Sequence, residues 1–154
     1  MLVKITELLN LTAYGVLASQ PVFYLLAMGK ATKKLRPSSY TELRNHLNDI
    51  LEINMRILYY TVLLTSIGWF ICTLIIHSNL LFLTSLIALA ALFVDMFFLF
   101  KGDIPINNII KTWTPENYPA DWETHRKKWF VFFRRRQVAI LAGFASLLLG
   151  AVFG

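Results

Sequence analysis

Apolar residues fall along this chain in four long blocks, separated by two polar segments and one short polar gap. The first block covers about 5–29 and is interrupted by Gln20-Pro21; the second covers about 57–77. Beyond Ser78-Asn79 the third covers about 80–100, and the fourth covers 137–154. Each approaches or exceeds the roughly 18–20 residues that a helix needs to cross a ~30 Å hydrocarbon core. The pattern predicts an all-α fold: a four-helix transmembrane bundle forming a single integral membrane domain over residues 1–154. No internal repeat and no Gly/Ser- or Pro-rich linker divides the chain.

The polar segments, 30–56 and 101–136, carry helical patterns of their own. Ser39-Tyr40-Thr41-Glu42 fits a capping box, in which hydroxyl and carboxylate satisfy backbone amides reciprocally. Leu43, Leu47, Ile50, Leu51 and Leu58 follow at helical spacing, so an amphipathic helix is expected to run unbroken into the second span. In the other segment Lys101-Gly102-Asp103-Ile104-Pro105 is expected to break the third span. Ile106, Ile109, Ile110 and Trp113 then predict a short helix lying in the membrane interface. A further helix is expected to begin near Pro119 and to carry Trp122, Trp129, Phe130 and Phe133 toward the fourth span. On that span Ala142, Ser146 and Gly150 repeat every four residues, a small-residue face predicted to pack inside the bundle, with Leu147 and Phe153 toward lipid.

Composition agrees with this pattern. The chain is 56% hydrophobic and only 16% charged, against about 45–50% and roughly 25% for a soluble domain. Cys72 is the sole cysteine, which excludes a disulfide scaffold and a thiol relay within the chain. The net charge of +6 lacks any nucleic-acid-binding motif, so membrane topology and anionic headgroups account for it, not nucleic acid. Every Lys and Arg except Lys4 lies in the two polar segments, and none lies in the Ser78-Asn79 turn. With four spans both segments fall on one side, so the positive-inside rule predicts two cytoplasmic loops and an N-out/C-out topology. The expected location is the plasma membrane, in a bacterium the inner one. A cleaved signal peptide is not expected, because the charge follows the first apolar block instead of preceding it. Asn10-Leu11-Thr12 matches a glycosylation sequon but lies too near the membrane for use.

Candidate chemistry begins with Asp95, a carboxylate inside the third block. Such a group costs a few kcal/mol in the membrane and normally faces the bundle interior with a partner. Thr84, Ala88, Ala91 and Asp95 share one helix face, and Asp95 lies about 8 Å from the basic end of its span at 1.5 Å per residue. Arg56 and Arg136 open spans two and four at comparable depth, and Gln20, Tyr24, Tyr59 and Tyr60 are placed to join them. Pro21 also frees the carbonyl of Leu17. A structural ion pair, a substrate pocket and a proton path are all compatible with this set. Metal and cofactor chemistry is not expected: His46, His77 and His125 sit on separate elements, and no Glu-x-x-His, phosphate loop or nucleophile elbow occurs.

Ile104-Pro105-Ile106-Asn107-Asn108, then Trp122, Trp129 and Arg136 seven residues later, resembles the anthrone oxygenase-like family of small four-span membrane proteins. The Gly15…Pro21 segment is also similar, whereas Phe132-Phe133-Arg134-Arg135 stands where that family often has an Asn or His before the last Arg. The resemblance implies oxygenation of a polycyclic phenol without metal or flavin. Asp95 would then abstract an acidic C–H, and Arg56 or Arg136 would stabilise the enolate that oxygen attacks. Asn107, Trp122 and Trp129 would line the pocket for a small aromatic ligand. The competing expectation is a non-catalytic module that docks a protein partner, or a second copy of itself, through its cytoplasmic helices. A roomy cavity beside Asp95 favours the first; a filled bundle with an exposed Trp122/Trp129 face favours the second.

Overall fold

The computed structural model describes residues 2–154 and is all-helical. In chain order the helices are α1 (Leu2–Phe23), α2 (Gly29–Lys34), α3 (Pro37–Ile76), α4 (Asn79–Phe98), α5 (Ile104–Ile110) and α6 (Trp122–Phe153). Wider π-turns, Tyr24–Met28 and Leu99–Asp103, join α1 to α2 and α4 to α5, so each pair continues one rod. Four rods are therefore long and apolar enough to cross a membrane: Leu2–Lys34, Pro37–Ile76, Asn79–Ile110 and Trp122–Phe153. They form a ring in which α1 packs on α3, α3 on α4, α4 on α6 and α6 back on α1. Many large apolar side chains are exposed on the outer surface, and Leu26, Leu64, Ile75 and Val152 are each at least 70% exposed. Such a surface suits hydrocarbon and would aggregate in water; the protein is an integral membrane protein.

Two expectations about helix ends are corrected. The third rod does not break at Gly102-Asp103; it widens. A proline ring clashes with the carbonyl four residues back, and for Pro105 that carbonyl belongs to Lys101, inside the π-turn. There the Ile104 N–H reaches the Leu99 carbonyl, five residues away, and the helix resumes. The Ser39/Glu42 capping box is not used either. α3 starts three residues earlier with Pro37 in its first turn, and Arg36 precedes it in extended conformation. Proline with its fixed φ and missing N–H is suited to that place.

Two cores stack along the bundle. The first lies among the apolar spans, with Tyr14, Leu17, Val62, Trp69, Leu92 and Ile140 at its centre. The second lies at the basic end, where Tyr24, Tyr40, Ile106, Ile110, Trp113, Trp129 and Phe133 pack together. Ties across the spans are polar as well as apolar: Tyr14 donates to the Ala88 carbonyl at 3.0 Å, and Ser146 to the Thr84 carbonyl at 3.0 Å. Asn10 is buried and accepts from Ser66 at 2.9 Å. At the opposite end His77 adopts φ 59° to turn the chain, and the Ser78 hydroxyl caps α4 through the Leu81 amide.

The inward stripe of α6 differs from the expected small-residue face. Gly143, Ser146, Leu147 and Gly150 are buried, Ala142 points outward, and only Phe153 of the two residues expected in lipid is exposed. Arg136 sets the phase. With Arg136 turned inward, helical steps of three and four bring Ile140, Gly143, Leu147 and Gly150 to the same side. Gly143 is the tightest approach, because a Cβ there would overlap the Tyr14 hydroxyl and lie 3.0 Å from Ala91.

Candidate functional site

α4 lowers Asp95 to the join between the two cores, and the π-turn after it places Asp103 on the same inner side. α6 opposes them with Arg136, and α3 supplies Tyr59. All four side chains are buried. The Arg136 guanidinium donates through Nε to Asp95 Oδ1 at 2.9 Å, through one Nη to Asp103 Oδ2, and through the other to the Tyr59 hydroxyl at 2.6 Å. Tyr59 in turn donates to Asp95 Oδ2 at 2.5 Å. Two carboxylates and a phenol thus converge on one planar cation, whose fixed fork suits several acceptors at once. Gln137, the next residue, donates to the Pro21 carbonyl at 3.3 Å and ties the proline turn of α1 into the same layer.

Of the residues expected around Asp95, the structure brings together Arg136, Tyr59 and Gln20. Gln20 lines a small void with Pro21, Tyr59, Asp95, Arg136 and Gln137. Arg56 is not brought there. It is exposed on α3, 3.3 Å from Glu52 one turn away. Asp95 lies three residues past the Arg56 level of α3, where Tyr59 faces inward. Tyr60, the next residue, points outward and is exposed. Tyr24 sits one layer lower, its ring 4.6 Å from Phe133 and 5.7 Å from Trp129.

That lower layer has a second buried cation. Arg44 of α3 is 5% exposed, stacks its guanidinium 4.3 Å above the Trp129 ring and donates to Asn107 Oδ1. Trp122 is half-buried beneath the Arg126 guanidinium at 4.5 Å, while Arg126 reaches the carbonyls of Lys33 and Leu35 at 3.2 and 3.3 Å. The expected Trp122/Trp129 docking face is therefore covered. Tyr40, Thr41, Arg44 and Asn48 form the buried stripe of this part of α3, in place of the leucines that periodicity favoured. Leu43, Leu47 and Leu51 are only half-buried and Ile50 is exposed.

The sequence reading missed Asp103 and Arg44. Asp103 was hidden by an apparent helix break. For Arg44 a signal was present, since Tyr40, Arg44 and Asn48 recur every four residues opposite an aromatic segment. Among the described residues no group of three His, Cys, Asp or Glu side chains is placed to hold a metal ion.

Asp95 has each oxygen engaged, whereas Asp103 is held through Oδ2 and its Oδ1 is buried without a hydrogen-bond partner. The void beside Asp95 measures about 10 Å³, room for about one water. Compared with protein-family models, curated proteins and solved structures, the chain matches none.

Proposed function

We propose that this protein is a non-catalytic membrane module that docks a protein partner through the helices at its basic end. The observation that carries this reading is the filled bundle at Asp95. Small-molecule sites are clefts of roughly 300–1,000 Å³, and the void of about 10 Å³ beside this carboxylate accepts no ring system. The alternative, a cofactor-independent oxygenase of a polycyclic phenol, rests on the resemblance carried by Pro105, Asn107, Trp122, Trp129 and Arg136. It requires Asp95 to leave both Tyr59 and Arg136 before it acts as a base.

In the proposed arrangement the basic end is cytoplasmic, both termini lie outside, and the membrane is the plasma membrane. Residues 37–56 of α3 then extend about 30 Å beyond the apolar span at 1.5 Å per residue. The inner side of this arm is fixed on α5 and α6, and its outer side presents Ile50 and Ile53, both more than 60% exposed. Apolar side chains presented on a rigid arm beside charged neighbours are the expected anatomy of a docking surface.

Site-specific photo-cross-linking in cells tests the proposal, with the cross-linker at Ile50 or Ile53 and a control at the lipid-facing Leu64. A discrete protein adduct at the arm positions, lost in Ile50→Asp/Ile53→Asp, is the expected result. Lipid adducts at all three positions, or oxygen consumption by the purified protein with a tricyclic phenolic ketone that Asp95→Asn abolishes, would overturn it.

A further inference from the structure

The outer surface between α1 and α6 is not flush. A groove of about 340 Å³ runs there, floored by Gly15 and Ser19 and walled by Leu26, Leu141 and Phe144. From Gly15 to Leu26 it follows α1 and the π-turn after it for about 16 Å at 1.5 Å per residue, close to the ~15 Å half-thickness of a hydrocarbon core. The groove offers a polar ligand no free hydroxyl donor: the Ser19 O–H already donates to the Val16 carbonyl at 2.7 Å. Its dimensions and chemistry suit one acyl chain.

The end of the groove nearer the basic layer is cationic. Lys30 is exposed one turn beyond Leu26. The Lys33 ammonium lies over the Phe130 ring at 5.1 Å, which brings α2 against the stripe of α6 that leads to Leu141. Arg134 is exposed between Phe130 and Leu141 on that stripe. No acidic residue occurs between Glu7 and Glu42 or after Glu123. Among the described residues none of the three cations joins a salt bridge. An apolar trough one leaflet deep thus opens onto three cations without counter-charges, and an anionic amphiphile complements both parts.

We propose that this groove is a binding site for an anionic phospholipid, with one acyl chain between α1 and α6 and the headgroup phosphate over Lys30, Lys33 and Arg134. The test places the full chain in phosphatidylcholine nanodiscs containing a small fraction of spin-labelled phosphatidylglycerol or spin-labelled phosphatidylcholine. The fraction of label immobilised on the protein is measured. Phosphatidylglycerol is expected to be retained preferentially, and each of Lys30→Gln, Lys33→Gln and Arg134→Gln to lower that preference about fivefold. Ser19→Phe and Leu26→Trp, two lipid-facing changes that fill the groove, are each expected to reduce the immobilised fraction while helicity and melting are kept. Equal retention of the two lipids overturns the site. So does a phosphatidylglycerol preference that survives both filling variants, since surface charge alone would then explain it. Efficient disulfide dimerisation of Ser19→Cys also overturns it, because a second copy would then occupy the groove.

Discussion

Arg136 holds more of the buried polar structure than any other side chain, because three acceptors from three elements use one guanidinium. Removing it leaves Asp95 and Asp103 close together without their counter-charge. Removing Asp95 alone leaves the cation still paired with Asp103. Arg136→Met is therefore expected to destabilise more than Asp95→Asn. The larger loss belongs in the range of about 3–5 kcal/mol seen when a buried pair is broken in soluble proteins, softened where the membrane-embedded unfolded state finds other partners. A double Asp95→Asn/Arg136→Met should recover little, because Asp103 stays unpaired; adding Asp103→Asn should recover most. Arg56→Gln should leave the melting temperature unchanged. Detergent thermal denaturation of this series checks the ordering, and a full rescue in the double would show that Asp103 is not part of the unit. Asp95 was legible in the sequence because a carboxylate in an apolar block needs a partner. Arg56 and Arg136 were equivalent at that level, since depth alone does not say which way a side chain points.

At the scale of the helix, phase decides what spacing suggests. The number and order of the apolar rods follow from the hydrophobic blocks, and those the structure shows. What the blocks do not encode is rotation about each axis. On α6 the small residues Ala142, Ser146 and Gly150 and the set Gly143, Ser146 and Gly150 differ by one residue at their start. The polar demand of Arg136 selects the second. On the α3 arm the same competition turns a polar and aromatic stripe inward and leaves leucines half out. The second π-turn was illegible for a related reason: Gly102-Asp103-Ile104-Pro105 read as an interruption, yet the wider turn takes up Pro105 without ending the rod. Pro21 does not end its rod either, and it lies within α1 ahead of the first π-turn. The Gly143 contact supplies a direct test. Gly143→Ala must displace the Tyr14 hydroxyl from the Ala88 carbonyl or spread α4 from α6. Overpacking of this kind costs about 1–3 kcal/mol. Tyr14→Phe/Gly143→Ala should be less destabilised than the sum of its single changes, because the first removes the atom that the second strikes. Additive melting shifts across that cycle would show that the two residues do not meet.

For the whole molecule the charge asymmetry becomes a statement about topology that the fold makes sharper. All Lys and Arg except Lys4 lie at one end of the bundle. That end is not two independent loops. Lys111 reaches Glu52 at 2.6 Å, Arg126 reaches the Lys33 carbonyl at 3.2 Å, and Asn45 donates to the Trp113 carbonyl at 3.0 Å. The two basic segments are thus built into one layer, and they must lie on the same side of any membrane the bundle crosses. Which side is a separate question, on which only the positive-inside expectation bears. The expectation is that Ser78→Cys, in the otherwise cysteine-poor chain with Cys72 replaced by Ala, reacts with an impermeant maleimide in intact cells. Lys33→Cys and Lys111→Cys should react only after permeabilisation. The three outcomes separate the two arguments. Labelling of both lysine positions and not Ser78 in intact cells would invert the orientation and leave the bundle intact. Labelling of one lysine position without the other would refute the packed basic layer itself, and with it the proposed docking arm, whose rigidity depends on that layer.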